Sequence, residues 1–411
     1  MIHLSKTGLP RKINTNTLLW YGYAGMFFFL PVAISPLAIC GVFVIAVWIV
    51  SGKFLKDIKI WVKSDMKIPI LMLILLPWIG LMYTPVPREG LNVAFKTHYW
   101  VFAIALMPLL QSRLRASAYD HKGQPDLIIK MFLSGLVLNS TMSVLQFLGL
   151  APLRRGIPTG LLGGGSAHIP FSLLLTTGIL VSSFYFLKAS SVKIRLIHTC
   201  LIVQFFVTMT FIGARSGYLA LIVLSPLIVY NIVGRRHLFK ILTGSIIIIA
   251  LLFASPVVQS RVSKIKEDLV QYKQGNVNTS IGLRLHMWTI ACAAIKKSPL
   301  IGIGTAGFLS VWEQYKKNPS LPFFIHGNPH NSFLYMMVSF GIPGLVAFCW
   351  LLFIMLKSGW KERGSPLGFA AFAFTMVFVI GSLVDTPLLS VAAAHAFSLF
   401  AGIAGGVERE M

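Results

Sequence analysis

Residues 326–345 read HGNPHNSFLYMMVSFGIPGL. A polar, proline-punctuated segment ends at His330 and Asn331, and an apolar helical run starts immediately after them. This is where the chain returns to hydrocarbon after its one long polar excursion, residues 256–330. About nine apolar stretches precede that excursion and three follow it. A reactive side chain at such a junction meets whatever a lipid carries at its headgroup, so chemistry is expected here.

The composition bounds the fold class. Of 411 residues, 56% are hydrophobic and 12% charged, with a mean hydropathy of +0.77. Soluble domains carry about a quarter charged residues, so a soluble globular protein is excluded. Runs of roughly 17–25 apolar residues cross a bilayer. Twelve stretches approach that length: 18–35, 36–53, 67–83, 95–110, 127–148, 169–187, 194–212, 216–233, 237–254, 331–356, 366–384 and 388–407. Their apolar character is continuous and does not alternate, which predicts helices and not barrel strands. The expected organisation is helices 1–9 over residues 1–255, a loop domain over 256–330 and helices 10–12 over 331–411.

Lys and Arg set the orientation. With the N-terminus cytoplasmic, 22 of the 36 basic residues fall in cytoplasmic segments, which satisfies the positive-inside rule. Both termini are then cytoplasmic and the long loop lies outside. The first helix, followed at once by Ser35-Pro36 without an A-x-A pattern, reads as a retained anchor. The four cysteines (Cys40, Cys200, Cys292, Cys349) are scattered and imply neither a disulfide framework nor a zinc site.

The outer side carries an unusual charge. Fourteen basic residues face five acidic ones there, a surplus that topology does not require. It suits either an anionic ligand such as a diphosphate or anionic lipid headgroups. Arg88 and Lys96 lie in the proline-broken connection 84–98, and Arg154 with Arg155 at the mouth of a helix in the Gly- and Pro-rich loop 151–170. Arg215, in GARSG (213–217), is held between two hydrophobic helices. Such an arginine costs a few kcal/mol unless it is paired, snorkelling or in a wet cavity.

Inside the loop, Val258, Val262, Ile265, Leu269 and Tyr272 recur at helical spacing. A second helix is expected over 281–297, with Arg284, Trp288, Ala291 and Ile295 on one face, and a third over 306–317. The block GIGTAG (302–307) matches G-x-G-x-x-G, but no strand precedes it, so it reads as a turn and not a dinucleotide site. His326 and His330 are four apart without an acid or cysteine nearby, which is no metal set. Asp385, in DTP before the last helix, is placed to orient a histidine or to pair with an arginine.

Three of these segments together resemble the O-antigen ligase and polymerase superfamily: GARSG, the Arg284-led RLHMWTIACAAIKKSPLIGIG, and PHNSFLYMMVSFGIPG. The similarity covers roughly residues 208–345. It implies a GT-C-like, all-α polytopic glycosyltransferase of the bacterial inner membrane with one large helical periplasmic loop. Such an enzyme moves a glycan from undecaprenyl diphosphate to an acceptor, with inversion and without metal or other cofactor. In the ligase branch the acceptor is a sugar hydroxyl of lipid A-core, completing lipopolysaccharide. The resemblance makes His330 the catalytic residue and Arg215 and Arg284 the diphosphate-binding arginines. Arg155, Arg154 and Arg88 join them from the charge reading, with Asn331, Asp385 and Lys96 supporting; no nucleic acid is implied. Fixed arginines suit phosphate oxygens, and an imidazole can take the acceptor hydroxyl's proton. A single large loop before the histidine helix favours ligase over polymerase. A lipid-linked glycan transporter is the alternative from another class, and it predicts repeats and mid-bilayer charges that the sequence does not display.

Overall fold

The computed structural model describes residues 14–120, 125–153, 156–163, 167–233, 237–315 and 327–408. Among them the chain is helical and contains no strand. Its helices are α1 (Thr15–Phe29), α2 (Ile34–Val50), α3 (Lys53–Trp61), α4 (Lys67–Gly80), α5 (Pro87–Phe95), α6 (Trp100–Asp120), α7 (Leu127–Phe147), α8 (His168–Lys188) and α9 (Val192–Ile212). There follow α10 (Arg215–Val233), α11 (Leu238–Phe253), α12 (Pro256–Lys273), α13 (Ser280–Lys297), α14 (Phe308–Tyr315), α15 (Ser332–Lys361), α16 (Pro366–Val384) and α17 (Val391–Val407).

Every predicted apolar stretch becomes helical, which makes this a helical polytopic membrane protein. The count of spans is smaller than twelve by length and apolarity. Among the described residues six helices can cross a bilayer alone, or up to eight if two bent pairs each count as one. The shortfall has local causes. Helix α4 carries Pro77 and stops at Gly80, and α17 has only 17 residues. The α2–α3 pair bends by 100° and the α11–α12 pair by 88°.

Helix α8 is the hub, packed by α9, α10 and α16, with every residue from Pro170 to Phe184 buried. An element apolar on all sides belongs in such a position. Helix α17 packs on α6 through small residues: a Cβ at Gly405 or Gly406 would sit 2.4 Å from the Met107 side chain or 2.8 Å from that of Leu110. Close backbone approach of this kind, and not hydrophobicity, drives helix association in lipid.

The loop domain forms the three predicted helices, α12, α13 and α14; the expected end of α14 at Lys317 lies outside the described residues. It has its own small core, in which Met287, Ile290, Phe308 and Trp312 pack with Val338 of α15. The GIGTAG block is indeed a turn, with Gly302, Gly304 and Ala306 at positive φ (71°, 87° and 59°). It also repairs a broken helix. Helix α15 breaks at Gly341 (φ 62°, ψ −154°) two residues before Pro343. In an unbroken helix Ile342 would donate to Val338, and Pro343, which lacks an N–H, leaves the Ser339 carbonyl without a donor. Ile303 N–H now donates to Val338 O at 2.8 Å and Gly304 N–H to Ser339 O at 3.0 Å, while Ile342 N–H turns to Pro299 O at 3.0 Å. Across the wedge, Thr305 Oγ1 donates to Pro77 O at 2.6 Å, where α4 ends. The loop segment is therefore locked to two helices of the bundle by hydrogen bonds to backbone groups that those helices leave unpaired.

Candidate active site at the helix ends below the loop domain

Three helix N-termini converge on one pocket. It is lined by His168 and Ile169 of α8, Arg215 and Ser216 of α10 with Gly213 before it, and Ser280 and Arg284 of α13. Arg261 of α12 and Val384-Asp385 at the end of α16 close it. The first turns of α8, α10 and α13 present the positive ends of their dipoles, and three guanidinium groups add full charges to the same space. Local sequence explains each placement. Gly213 takes φ 75° to end α9, its N–H donating to the Tyr218 hydroxyl at 3.0 Å, and the next turn starts α10 with Arg215 as its first residue. Thr279 caps α13 by accepting from Gly282 N–H at 3.0 Å, which fixes Arg284 in the first turns.

Two carboxylates partly balance the arginines. Arg215 Nη1 donates to Ser280 Oγ at 3.2 Å and lies 4.0 Å from Asp268 Oδ2, which also accepts from Ile281 N–H at 3.1 Å. Arg284 Nη2 lies 3.7 Å from Asp385 Oδ2, an ion pair too long for a strong hydrogen bond. The other carboxylate oxygen of Asp385 is 3.1 Å from His330 Nδ1. Burial alone would raise the Asp385 carboxyl. The His330 hydrogen bond, the His330 and Arg284 charges and the Thr386 amide outweigh it and hold the carboxyl below its ordinary value. Asp385 thus lies between the arginine pocket and the histidine, in contact with both.

His330 sits in an unusual backbone conformation, φ 47°, with its N–H donating to Asn328 Oδ1 at 3.0 Å. A histidine in the left-handed region is uncommon and persists where its surroundings hold it. Here they do. Trp288 of α13 donates from Nε1 to Pro329 O at 2.9 Å. Asn331 caps α15, accepting from Leu334 N–H at 3.0 Å and donating to Leu383 O at 2.9 Å.

Of the residues singled out in the sequence, Arg215, Arg284 and Asp385 line the pocket, and His330 and Asn331 adjoin it through Asp385 and Leu383. Arg88 is exposed on α5 and does not line it. Lys96 faces elsewhere: its Nζ donates to Leu389 O at 3.1 Å at the rim of an apolar cavity that includes Leu73, Tyr335, Met336 and Phe397. Arg154, Arg155 and His326 lie outside the described residues. Sequence reasoning did not assign Arg261, His168 or Ser216 to the site. Arg261 was visible as an outer cation one helical turn from Val258, whereas His168 and Ser216 carried no signal. Among the described residues, buried Arg284 Nε, His168 Nδ1 and Ser216 Oγ have no hydrogen-bond partner, and all three residues line the pocket. Unsatisfied donors beside three arginines suit an anion with several oxygens. Among the described residues no three His, Cys, Asp or Glu side chains converge as a metal-ligand set.

Comparison with known proteins bears on this same region. Residues 200–349 match the family model described as O-antigen ligase, a stretch that contains Arg215, Arg261, Asp268, Arg284 and His330. An uncharacterized protein of Haemophilus influenzae is 28% identical over 182 residues, covering 42% of this chain and 45% of that protein. The chain thus spans less than half the length of that relative. Over the segment that builds the arginine pocket the chain is similar to the O-antigen ligase family, and this supports the superfamily of O-antigen ligases and polymerases, glycosyltransferases acting on lipid-linked glycans.

Proposed function

We propose that the protein is an inner-membrane glycosyltransferase, an O-antigen ligase, with a GT-C-like helical membrane domain, cytoplasmic termini and a periplasmic loop domain. It transfers a glycan from undecaprenyl diphosphate to a sugar hydroxyl of lipid A-core. The observation that carries this reading is the pocket of three arginines at three helix N-termini, tied through Asp385 to His330.

The chemistry follows from that connection. A glycosyl diphosphate is already activated, because its leaving group departs as a stabilised anion. Arg215, Arg261 and Arg284 bind the diphosphate and take up the charge that develops as the sugar–oxygen bond breaks. Each charge-assisted hydrogen bond contributes about 1.5–3 kcal/mol, so three guanidinium groups supply the stabilisation that such a leaving group needs. Asp385 accepts from His330 Nδ1–H, which leaves the basic lone pair on Nε2. His330 takes the acceptor hydroxyl's proton as the oxygen attacks the anomeric carbon from the face opposite the diphosphate. The new glycosidic bond forms with inversion. Such a base contributes about 10²–10⁴-fold.

The reading is tested by reconstituted transfer in EDTA, with undecaprenyl-diphosphate-linked glycan and lipid A-core offered together to wild type and His330→Ala. Glycan on lipid A-core, formed by wild type alone, is the expected result. Lengthening of the glycan on its lipid carrier would make the protein a polymerase. Absence of both transfers from wild type would overturn the glycosyltransferase reading.

A further inference from the structure

Helix α12 has three faces where a helix on a protein surface needs two. Val258, Arg261, Ile265, Asp268 and Tyr272 form the first; Val258 and Asp268 are buried, and Arg261 reaches the arginine pocket. Val262, Lys266, Leu269, Val270 and Lys273 form the second, and all five are exposed, Val262 by 37%, Leu269 by 40% and Val270 by 47%. Ser260, Ser263, Lys264, Glu267 and Gln271 form the third, polar and exposed, while Gln259 lies at the start of the second and donates to Phe253 O at 2.9 Å. At about 100° per residue the centres of these faces stand roughly 120° apart. The first face meets protein and the third meets water. The second, apolar with two lysines, matches neither surrounding.

The attachment of the helix identifies the third environment. Helix α12 leaves apolar α11 at 88°, and the bend is tied to the end of α9, a candidate span, by Ser255 Oγ donating to Thr210 O at 2.7 Å. It therefore starts where two apolar helices end and runs across their ends. We propose that α12 lies in the lipid interface, with Val262, Leu269 and Val270 in the acyl layer and Lys266 and Lys273 on the phosphates of an anionic lipid surface. An amphipathic helix with lysines beside its apolar residues binds such a surface through both, the long stems carrying the ammonium groups out to the headgroups. A protein partner is disfavoured because lysine is depleted in the buried centres of protein interfaces. Lipid seating also has a consequence inside the protein. The protein-facing side of α12 carries Arg261, which lines the arginine pocket, and Asp268, which lies 4.0 Å from Arg215, so the membrane surface fixes the height at which both meet the site.

The test uses the full chain with its four native cysteines changed to serine and a single nitroxide at successive positions from 258 to 273. The protein is reconstituted in phosphatidylcholine vesicles with and without phosphatidylglycerol, and collision with oxygen and with an aqueous nickel chelate is measured. Oxygen contact several-fold above nickel contact is expected at 262, 269 and 270, the reverse at 260, 263 and 267, and little of either at 258 and 265. Nickel contact at 262, 269 and 270 equal to that at 263 and 267 would put the second face in water and overturn the proposal. Protection of those positions from both reagents would show a protein cover and also overturn it. With the label at 269, Lys266→Glu with Lys273→Glu should make the position shallower in anionic vesicles only, and an unchanged depth there would remove the lysines from the contact.

Discussion

Gly341→Ala should destabilise the protein far more than an alanine at another glycine of positive φ. Gly341 has φ 62° and ψ −154°, a region that side chains rarely enter, and its Cβ would lie 2.4 Å from the Leu300 carbonyl carbon and oxygen. Gly275 has φ 90° but nothing within 4 Å of the same added atom. A side chain at such a positive φ costs about 1–3 kcal/mol at either position. At Gly341 the neighbour is backbone and must move, which breaks the three bonds joining 299–304 to α15. At about 0.5–1.5 kcal/mol each, those bonds add roughly 1.5–4.5 kcal/mol. Thermal unfolding of the two variants in the same detergent measures the difference. The refuting result is an equal shift in midpoint for Gly275→Ala and Gly341→Ala, which would mean that the turn contributes no stability to the broken helix.

Three further outcomes follow from the site. Asp385→Asn keeps the size of the side chain but removes the charge shared by His330 and Arg284, so kcat should fall about 10²-fold or more while the protein still folds; single-turnover kinetics reads this directly. Arg261 has no carboxylate partner among the described residues, so Arg261→Gln should raise the donor KM by about 10–100-fold, the equivalent of one charge-assisted bond, with Arg261→Lys recovering part of it. Stability against pH should report Asp385. Its folded value lies below the ordinary one, so its contribution is complete above the unfolded value of about 3.9 and is lost as pH falls through the lower folded value. Midpoints of unfolding measured between pH 7 and pH 3 should decline at the acid end, and Asp385→Asn should flatten that decline.

The amino-acid sequence by itself determined the helical membrane architecture, because continuous apolar runs in hydrocarbon have only helices open to them. It also located the loop helices, since α12 and α13 carry their periodicity and the Thr279 cap locally. Arg215, Arg284 and His330 were legible because each belongs to a short motif whose backbone, a glycine bend, a capped helix start or a capped re-entry, is set within a few residues. Only the tertiary structure decided what those residues meet. Asp385 lies 55 positions from His330 and reaches it because α15 and α16 pack together. His168 and Ser216 enter the pocket because α8 and α10 are neighbours, and nothing in either local sequence announces it. The turn 302–307 likewise looked self-contained until its N–H groups met the carbonyls that Gly341 and Pro343 release. Local motifs fix how a side chain is held, while helix packing fixes its partner, and a charge pair or a hydrogen bond across the bundle exists only once both helices are in place.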